Sequence, residues 1–198
     1  YAILKAVSDP LKIKPAMDYS IEIIKKSINK EGMISYTGEI DNPDMYVDTI
    51  GLVCPFLTLY AAIFDDREWE DIAFYQIKMF HQYGLYENTA LPNHAFHIES
   101  KLPLGVYGWG RGTAWYLVGL MDTYKNLKNE VYKKELKKWI YEAAEKYMII
   151  KEMMEDLVQY CNELRHMIVQ QRPHWLGFMV VVTKYFLKKN IYGLKKNV

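Results

Sequence analysis

The sequence predicts an all-α fold built from antiparallel helical hairpins. Apolar residues recur at three- and four-residue spacing in about seven stretches of the 198-residue chain. Helix-starting prolines and helix-stopping glycines or asparagines punctuate those stretches at roughly twenty- to thirty-residue intervals, which suits stacked hairpins. No run alternates apolar and polar residues for long enough to read as a strand. With one core expected, the whole of 1–198 reads as a single domain.

The first helix is expected over Pro15 to Lys30, with Pro15 in the first turn and Tyr19, Ile23 or Ile24, and Ile28 forming its apolar stripe. Glu31-Gly32 stops it, and a polar loop rich in Gly, Asn and Asp runs to Asp44. A second, strongly apolar helix covers about Asp48 to Phe64. Pro55 interrupts it and frees the carbonyl of Gly51, so the helix either kinks there or begins there. A third spans Glu68 to Tyr83, burying Trp69, Ile72, Ala73, Gln76, Ile77 and Phe80, with Gly84 as its stop. Helical pattern returns over Trp109 to Leu127 and from Glu130 to Gln171. Because one straight helix over that last stretch would outrun a compact core at ~1.5 Å per residue, a break is expected near Ile150. A last helix is expected over His174 to Lys189, ahead of a basic tail.

Charge excludes some partners. Lys and Arg number 25 against 24 Asp and Glu, so no global field attracts a polyanion, and nucleic acid is not an expected partner. The apolar stretch Val47 to Phe64 contains Asp48, Thr49, Gly51 and Pro55, and no membrane span is expected. Cys54 and Cys161 have no CxxC spacing and read as two buried thiols. No leader with a cleavage site opens the chain, which starts at Tyr1 rather than Met; the expectation is a cytoplasmic bacterial protein, with an exported form the alternative because the natural start is missing.

Chemistry concentrates around the long segment Leu85 to Gly108, which carries Pro92, Pro103, Gly105, Asn88 and Asn93. Long loops inside compact domains are commonly functional. It leads into Tyr107-Gly108-Trp109-Gly110-Arg111-Gly112-Thr113-Ala114-Trp115, where glycines let backbone approach a ligand and frame an arginine between two tryptophans. Arg111 offers a planar fork of donors suited to a carboxylate or paired hydroxyls, and the helix start adds amide donors. A glycine-rich helix start with Arg111 paired to a neighbouring carboxylate accounts for the same pattern equally well. The 15% aromatic content suits either a sugar cleft or a thick core.

This segment resembles the W-A-R-G-N-G-W signature of the unsaturated glucuronyl and rhamnogalacturonyl hydrolases, glycoside hydrolase families 88 and 105, at Trp109, Arg111, Gly112 and Trp115. Upstream, Met45 to Gly51 followed by Cys54-Pro55-Phe56-Leu57 is similar to the family segment in which an aspartate precedes a hydrophobic helix, and Leu91-Pro92-Asn93-His94 to the one that ends in an active-site histidine. The resemblance covers about Pro15 to Tyr147. It implies a six-hairpin (α/α) toroid, partial or shortened here, that binds an acidic oligosaccharide ending in a 4,5-unsaturated uronic acid. It implies Asp48 as the acid and base that hydrates the double bond, with His94, Trp109, Arg111, Trp115 and Tyr46 binding substrate and no metal or organic cofactor. A further family aspartate would fall before Tyr1.

On the residues alone, an aspartate at a helix start is an N-cap, and acid chemistry there requires desolvation or a second carboxylate, for which Asp41 and Asp44 are the neighbours in sequence. His94, His97 and Glu99 form an HxxH-like group on a loop that gives the spacing no common face. His81 and His166 read as structural, and His174 as a helix-start residue. Met148, Met153, Met154 and Met167 read as core, and the charged face from Glu130 to Glu163 as solvated surface. Two other function classes fit the same helices: a non-catalytic saccharide-binding or scaffold protein, and a helical protein-interaction module.

Overall fold

A computed structural model describes residues 1–40, 42–87 and 89–169, without the side chains of 153, 154 and 160–169. Asp41, Asn88, the expected helix over 174–189 with His174, and the side chains of His166, Cys161, Met153, Met154 and Met167 lie outside the described residues. The chain groups into two compact units, Tyr1–Lys146 and Tyr147–Val198.

In the first unit, α1 (Ala2–Ala6) and a 3-10 turn (Pro10–Ile13) lead into α2 (Lys14–Lys26). The face that α2 turns to the core is Met17, Ile21 and Ile24, and Ile28 just beyond its end continues the line. Tyr19 and Ile23, expected in the stripe, stand 70% and 50% exposed. Beyond α2 the chain is tied to the next layer by Gln76, a fully buried amide on α5 (Glu68–Tyr83). Its Oε1 accepts from the Ile34 backbone at 2.9 Å while its Nε2 donates to the Gly32 carbonyl at 2.8 Å.

The apolar segment forms α3 (Val47–Leu52) and α4 (Cys54–Phe64), hinged at Val53 with Pro55 in the first turn of α4. Val53 and Leu57 still bond back to the Thr49 and Val53 carbonyls, so the result is a kinked continuation. By length and mean hydropathy (1.8 over 18 residues) Val47–Phe64 would suffice to cross a bilayer; 61% of it is buried against the other helices, as in a core element. Asp65, in the left-handed conformation, ends α4 and turns the chain into α5, giving one helical hairpin. A second joins α6 (Gly110–Asn126) to α7 (Glu130–Val169).

The α6–α7 turn is held by a residue that periodicity does not reveal. Glu70 on α5 is 4% exposed, and its Oε1 accepts from Lys128 N at 2.6 Å and Asn129 N at 2.7 Å. A buried carboxylate thus sits at the start of α7, where free amides and the helix dipole favour an anion. The first turns of α7 return to α5 through Tyr132 and Trp139, which stack on Phe74 at 4.0 and 5.7 Å. His81 stacks on Trp139 at 4.3 Å, and its Nδ1 lies 2.7 Å from the Tyr116 hydroxyl. Burial pushes this imidazole down to about 4, so it is neutral and structural, as expected.

Helices α3 and α6 approach through two glycine notches. A Cβ on Gly51 would sit 2.7 Å from the Trp115 carbonyl oxygen, and one on Gly119 2.4 Å from that of Ile50. Only glycine at both places lets the backbones come this close.

Two sequence expectations are corrected. Short strands exist: β1 (Asp44–Tyr46), β4 (Ala95–His97) and β5 (Pro103–Leu104) form an antiparallel sheet in the order β1-β4-β5, and β2 (Leu85–Tyr86) pairs with β3 (Leu91–Pro92). Two- and three-residue strands are too short to show a period, and Asp44 finds its partner His97 more than fifty positions away. The expected break near Ile150 is absent: α7 is helical throughout Glu130–Val169. No helix-breaking Gly or Pro lies in that range, so the compactness argument had no local mechanism to act through. In the second unit Met148 is 57% exposed rather than core, and the surface carries the pair Lys151–Glu155 at 3.6 Å.

Candidate active site

The β1–β4 ladder brings the candidate residues together. Met45 and Phe96 face each other and are fully buried, which sets the register, and Tyr46 then lies opposite Ala95. One step further, Val47 N donates to the His94 carbonyl at 3.0 Å, so the chain entering α3 runs beside the chain entering β4. Asp48 and His94 therefore meet, with His94 Nε2 3.8 Å from Asp48 Oδ2. That separation is longer than a direct hydrogen bond. The Asp48 side chain is 12% exposed and that of His94 40%, so the carboxylate is the more buried of the two.

Asp48 does not cap its helix. The N-cap of α3 is Tyr46, in extended conformation, and Asp48 is the second helical residue. The capping role expected from the residues alone is thus replaced by a nearly buried carboxylate facing a histidine. Asp44, two residues before Tyr46 in β1, is paired in register with His97. His97 is engaged by Ser100, whose backbone N and hydroxyl lie 3.1 and 3.0 Å from its Nδ1.

His94 is positioned from three sides. Buried Asn93 donates both its backbone N and its Nδ2 to the Gly84 carbonyl, at 2.8 and 3.2 Å. Gly105, with φ +76°, leaves room where a Cβ would come within 2.8 Å of His94 Cβ. The imidazole meets Tyr46 edge-on at 5.3 Å and Trp109 at 5.5 Å and 89°.

Trp109 is the N-cap of α6, 37% exposed, and the Arg111 guanidinium lies over its ring with Cζ 4.0 Å from the centroid. Such a cation–π contact orients the guanidinium while leaving its donors free for an anion. Asp48, His94, Tyr46, Trp109 and Arg111 thus form one cluster. Trp115 does not join it through any ring contact among the described residues. Its backbone meets Gly51 and its partly buried ring packs against the core, which seats α3 on α6.

Sequence reasoning placed Gly105, Asn93 and Tyr107 in the candidate segment without giving them a contact, and did not single out Tyr86. Rings of Tyr86 and Tyr107 stack at 4.0 Å with 7° between planes. The signal available was the Pro- and Gly-rich character of Leu85 to Gly108, which marks the loop but not which of its residues touch.

A kinked apolar helix pair and two helical hairpins make up part of an all-α fold of the six-hairpin (α/α) kind, with the Asp48–His94–Trp109–Arg111 cluster at the loop ends. The chain belongs to glycosyl hydrolase family 88, whose family model matches residues 1–165. Its fold is shared with the glycoside hydrolase from family 105 of C. acetobutylicum (TM-score 0.60, 20% identity, 73% of this chain and 42% of that one). It is shared equally with a "possible member of GH105 family" from Salmonella enterica (TM-score 0.61, 16% identity, 73% of this chain and 40% of that one). The chain thus spans less than half the length of either structure. No curated protein matches its sequence.

Proposed function

We propose that this chain carries the uronyl-binding and acid–base half of a glycoside hydrolase that removes a 4,5-unsaturated uronic acid from the end of an oligosaccharide. The observation that carries the reading is the nearly buried Asp48 carboxylate, 3.8 Å from His94 Nε2, with the Trp109–Arg111 pair against the same histidine. Membership of family 88 supports glycoside hydrolysis as the class of reaction.

In this reading Asp48 delivers a proton to C4 of the unsaturated sugar, leaving an oxocarbenium ion across C5 and the ring oxygen. Asp48, now ionised, takes a proton from a water that bonds to C5 and makes a hemiketal. Cleavage between C5 and the ring oxygen then opens the ring, and the hemiacetal left at C1 releases the remaining saccharide. The balance is the net addition of one water per bond broken. Arg111 binds the uronate carboxylate, Trp109 and Tyr46 supply ring faces for the pyranose, and His94 holds Asp48 in place and bonds to a sugar hydroxyl. Trp115 keeps α3 seated on α6.

The test is loss of the double-bond ultraviolet absorbance in unsaturated disaccharides from pectin and from glycosaminoglycans, with Asp48→Asn run in parallel. Loss with the parent and at least a roughly hundredfold slower loss with the variant is expected. Equal rates remove Asp48 from the chemistry, and no loss with any substrate replaces the hydrolase by a non-catalytic saccharide-binding protein on the same fold.

A further inference from the structure

Arg111 stands where its own helix disfavours it. It is the second residue of α6, whose first turn carries no acidic side chain, so its charge lies beside the positive end of the helix dipole. The sequence left open a neighbouring carboxylate as its partner, and among the described residues no ion pair engages it. What the exposed guanidinium does meet is the face of Trp109, with Cζ 4.0 Å from the ring centroid.

That ring is otherwise prepared for stacking. It is 37% exposed, stands perpendicular to the His94 imidazole at 5.5 Å, and lies against the first turn of α6, its Cε3 3.6 Å from where a Cβ on Gly112 would stand. A pyranose stacked on an indole brings its atoms to within about 4.0–4.5 Å of the ring. The guanidinium already fills that layer, so sugar and Arg111 exclude each other on this face. Charge decides which entrant displaces the arginine. Leaving the ring forfeits the cation–π contact, and a carboxylate offsets that loss with paired charge-assisted hydrogen bonds and a counter-charge at the helix start. An uncharged sugar supplies neither.

We propose that Arg111 is a specificity-determining residue that covers the stacking face of Trp109 until a carboxylate draws it off, so that the ring is open to uronates and closed to uncharged sugars. This rests on the reading of the Asp48–His94 cluster as the uronyl site. An arginine that only bound the carboxylate would strengthen uronates and leave uncharged sugars untouched. A covering arginine also weakens the uncharged ones, and removing it moves the two affinities in opposite directions.

The experiment uses the full chain carrying Asp48→Asn, so that nothing is turned over, with and without Arg111→Ala. The probes are the methyl glycoside of a 4,5-unsaturated uronic acid and the same glycoside with its carboxyl reduced to a hydroxymethyl group. In calorimetric titration, Arg111→Ala is expected to weaken the acid at least about tenfold and to tighten the alcohol about two- to fivefold. An alcohol affinity that is unchanged or lowered overturns the proposal and leaves Arg111 as a carboxylate ligand alone. A second readout needs no sugar: oxidation by a small water-soluble oxidant, mapped by peptide mass. Trp109 is expected to react at least about twofold faster in Arg111→Ala, with buried Trp139 unchanged as the internal control. Equal rates at Trp109 overturn the cover. If neither sugar binds either protein, the uronyl reading falls by itself, and Trp109 oxidation alone decides whether Arg111 shields the ring.

Discussion

Replacing Gly119 by alanine tests how α3, and with it Asp48, is seated. The added methyl would lie 2.4 Å from the Ile50 carbonyl oxygen, and 2.7 Å from both the carbonyl carbon and Cγ2 of Ile50. Carbon–oxygen contacts between backbones ordinarily stop near ~3.3 Å, so the helices must separate by about 1 Å. The obstruction is backbone, and no rotamer relieves it. Alanine returns about 1 kcal/mol of helix preference while overpacking costs about 1–3 kcal/mol or more. With the upper end applying, we expect a net loss of roughly 2 kcal/mol. Gly110→Ala in the same helix is the control, because nothing lies within 4 Å of its added Cβ. It is expected to be neutral or to gain up to about 1 kcal/mol. In urea, with a slope of roughly 2 kcal/mol/M for a chain of this size, Gly119→Ala should move the midpoint down by about 1 M and Gly110→Ala should not lower it. A Gly119→Ala midpoint at or above the parent's, with the slope unchanged, would refute the glycine-notched crossing. On the hydrolase reading, the same 1 Å displacement of α3 also predicts a loss of up to roughly a hundredfold in turnover.

Gly105→Ala and Gly38→Ala carry the same left-handed strain, φ +76° and +80°, but only the first meets a neighbour, His94. Thermal melts should therefore show Gly105→Ala the less stable, by about 1–3 kcal/mol; equal melts would place His94 elsewhere. Glu70→Ala leaves the Lys128 and Asn129 amides without their buried acceptor and should cost roughly 2–5 kcal/mol by urea denaturation, with Glu70→Gln, which keeps an acceptor oxygen, well under half of that. The His81 imidazole is held at about 4 when folded against about 6.5 when unfolded, so between those values the unfolded state binds the extra proton. Its contribution is complete above pH 6.5 and is lost as pH falls toward 4; His81→Phe should flatten the stability-versus-pH curve across that window, and an unchanged slope assigns the effect to another group.

Helix positions were readable because burial imposes a period. Trp69, Ala73, Gln76, Ile77 and Phe80 share the buried face of α5, and Pro55 over Gly51 marks the α3–α4 hinge before any coordinates. In α2 two stripes competed, and Met17–Ile21–Ile24–Ile28 is the buried one, while Tyr19, whose hydroxyl tolerates water, is exposed. What stayed hidden depends on partners distant in the chain. Tyr46 meets Ala95 through strands too short to show alternation, and Glu70 meets Lys128 across fifty-eight positions through a single carboxylate oxygen. The cluster was half visible for the same reason: Trp109 and Arg111 stand in one motif, but the ladder that brings His94 to Asp48 leaves no local trace.

The Gly84 carbonyl, which takes both the backbone and side-chain N–H groups of Asn93, closes the β2–β3 hairpin at its base. The turn carrying Glu87 and Ala90 lies beyond that clamp, whereas Leu91 and Pro92 also meet Gly108. Exchanges at that turn are therefore expected to leave the backbone that carries His94 in register, because the Asn93 clamp stands between the two.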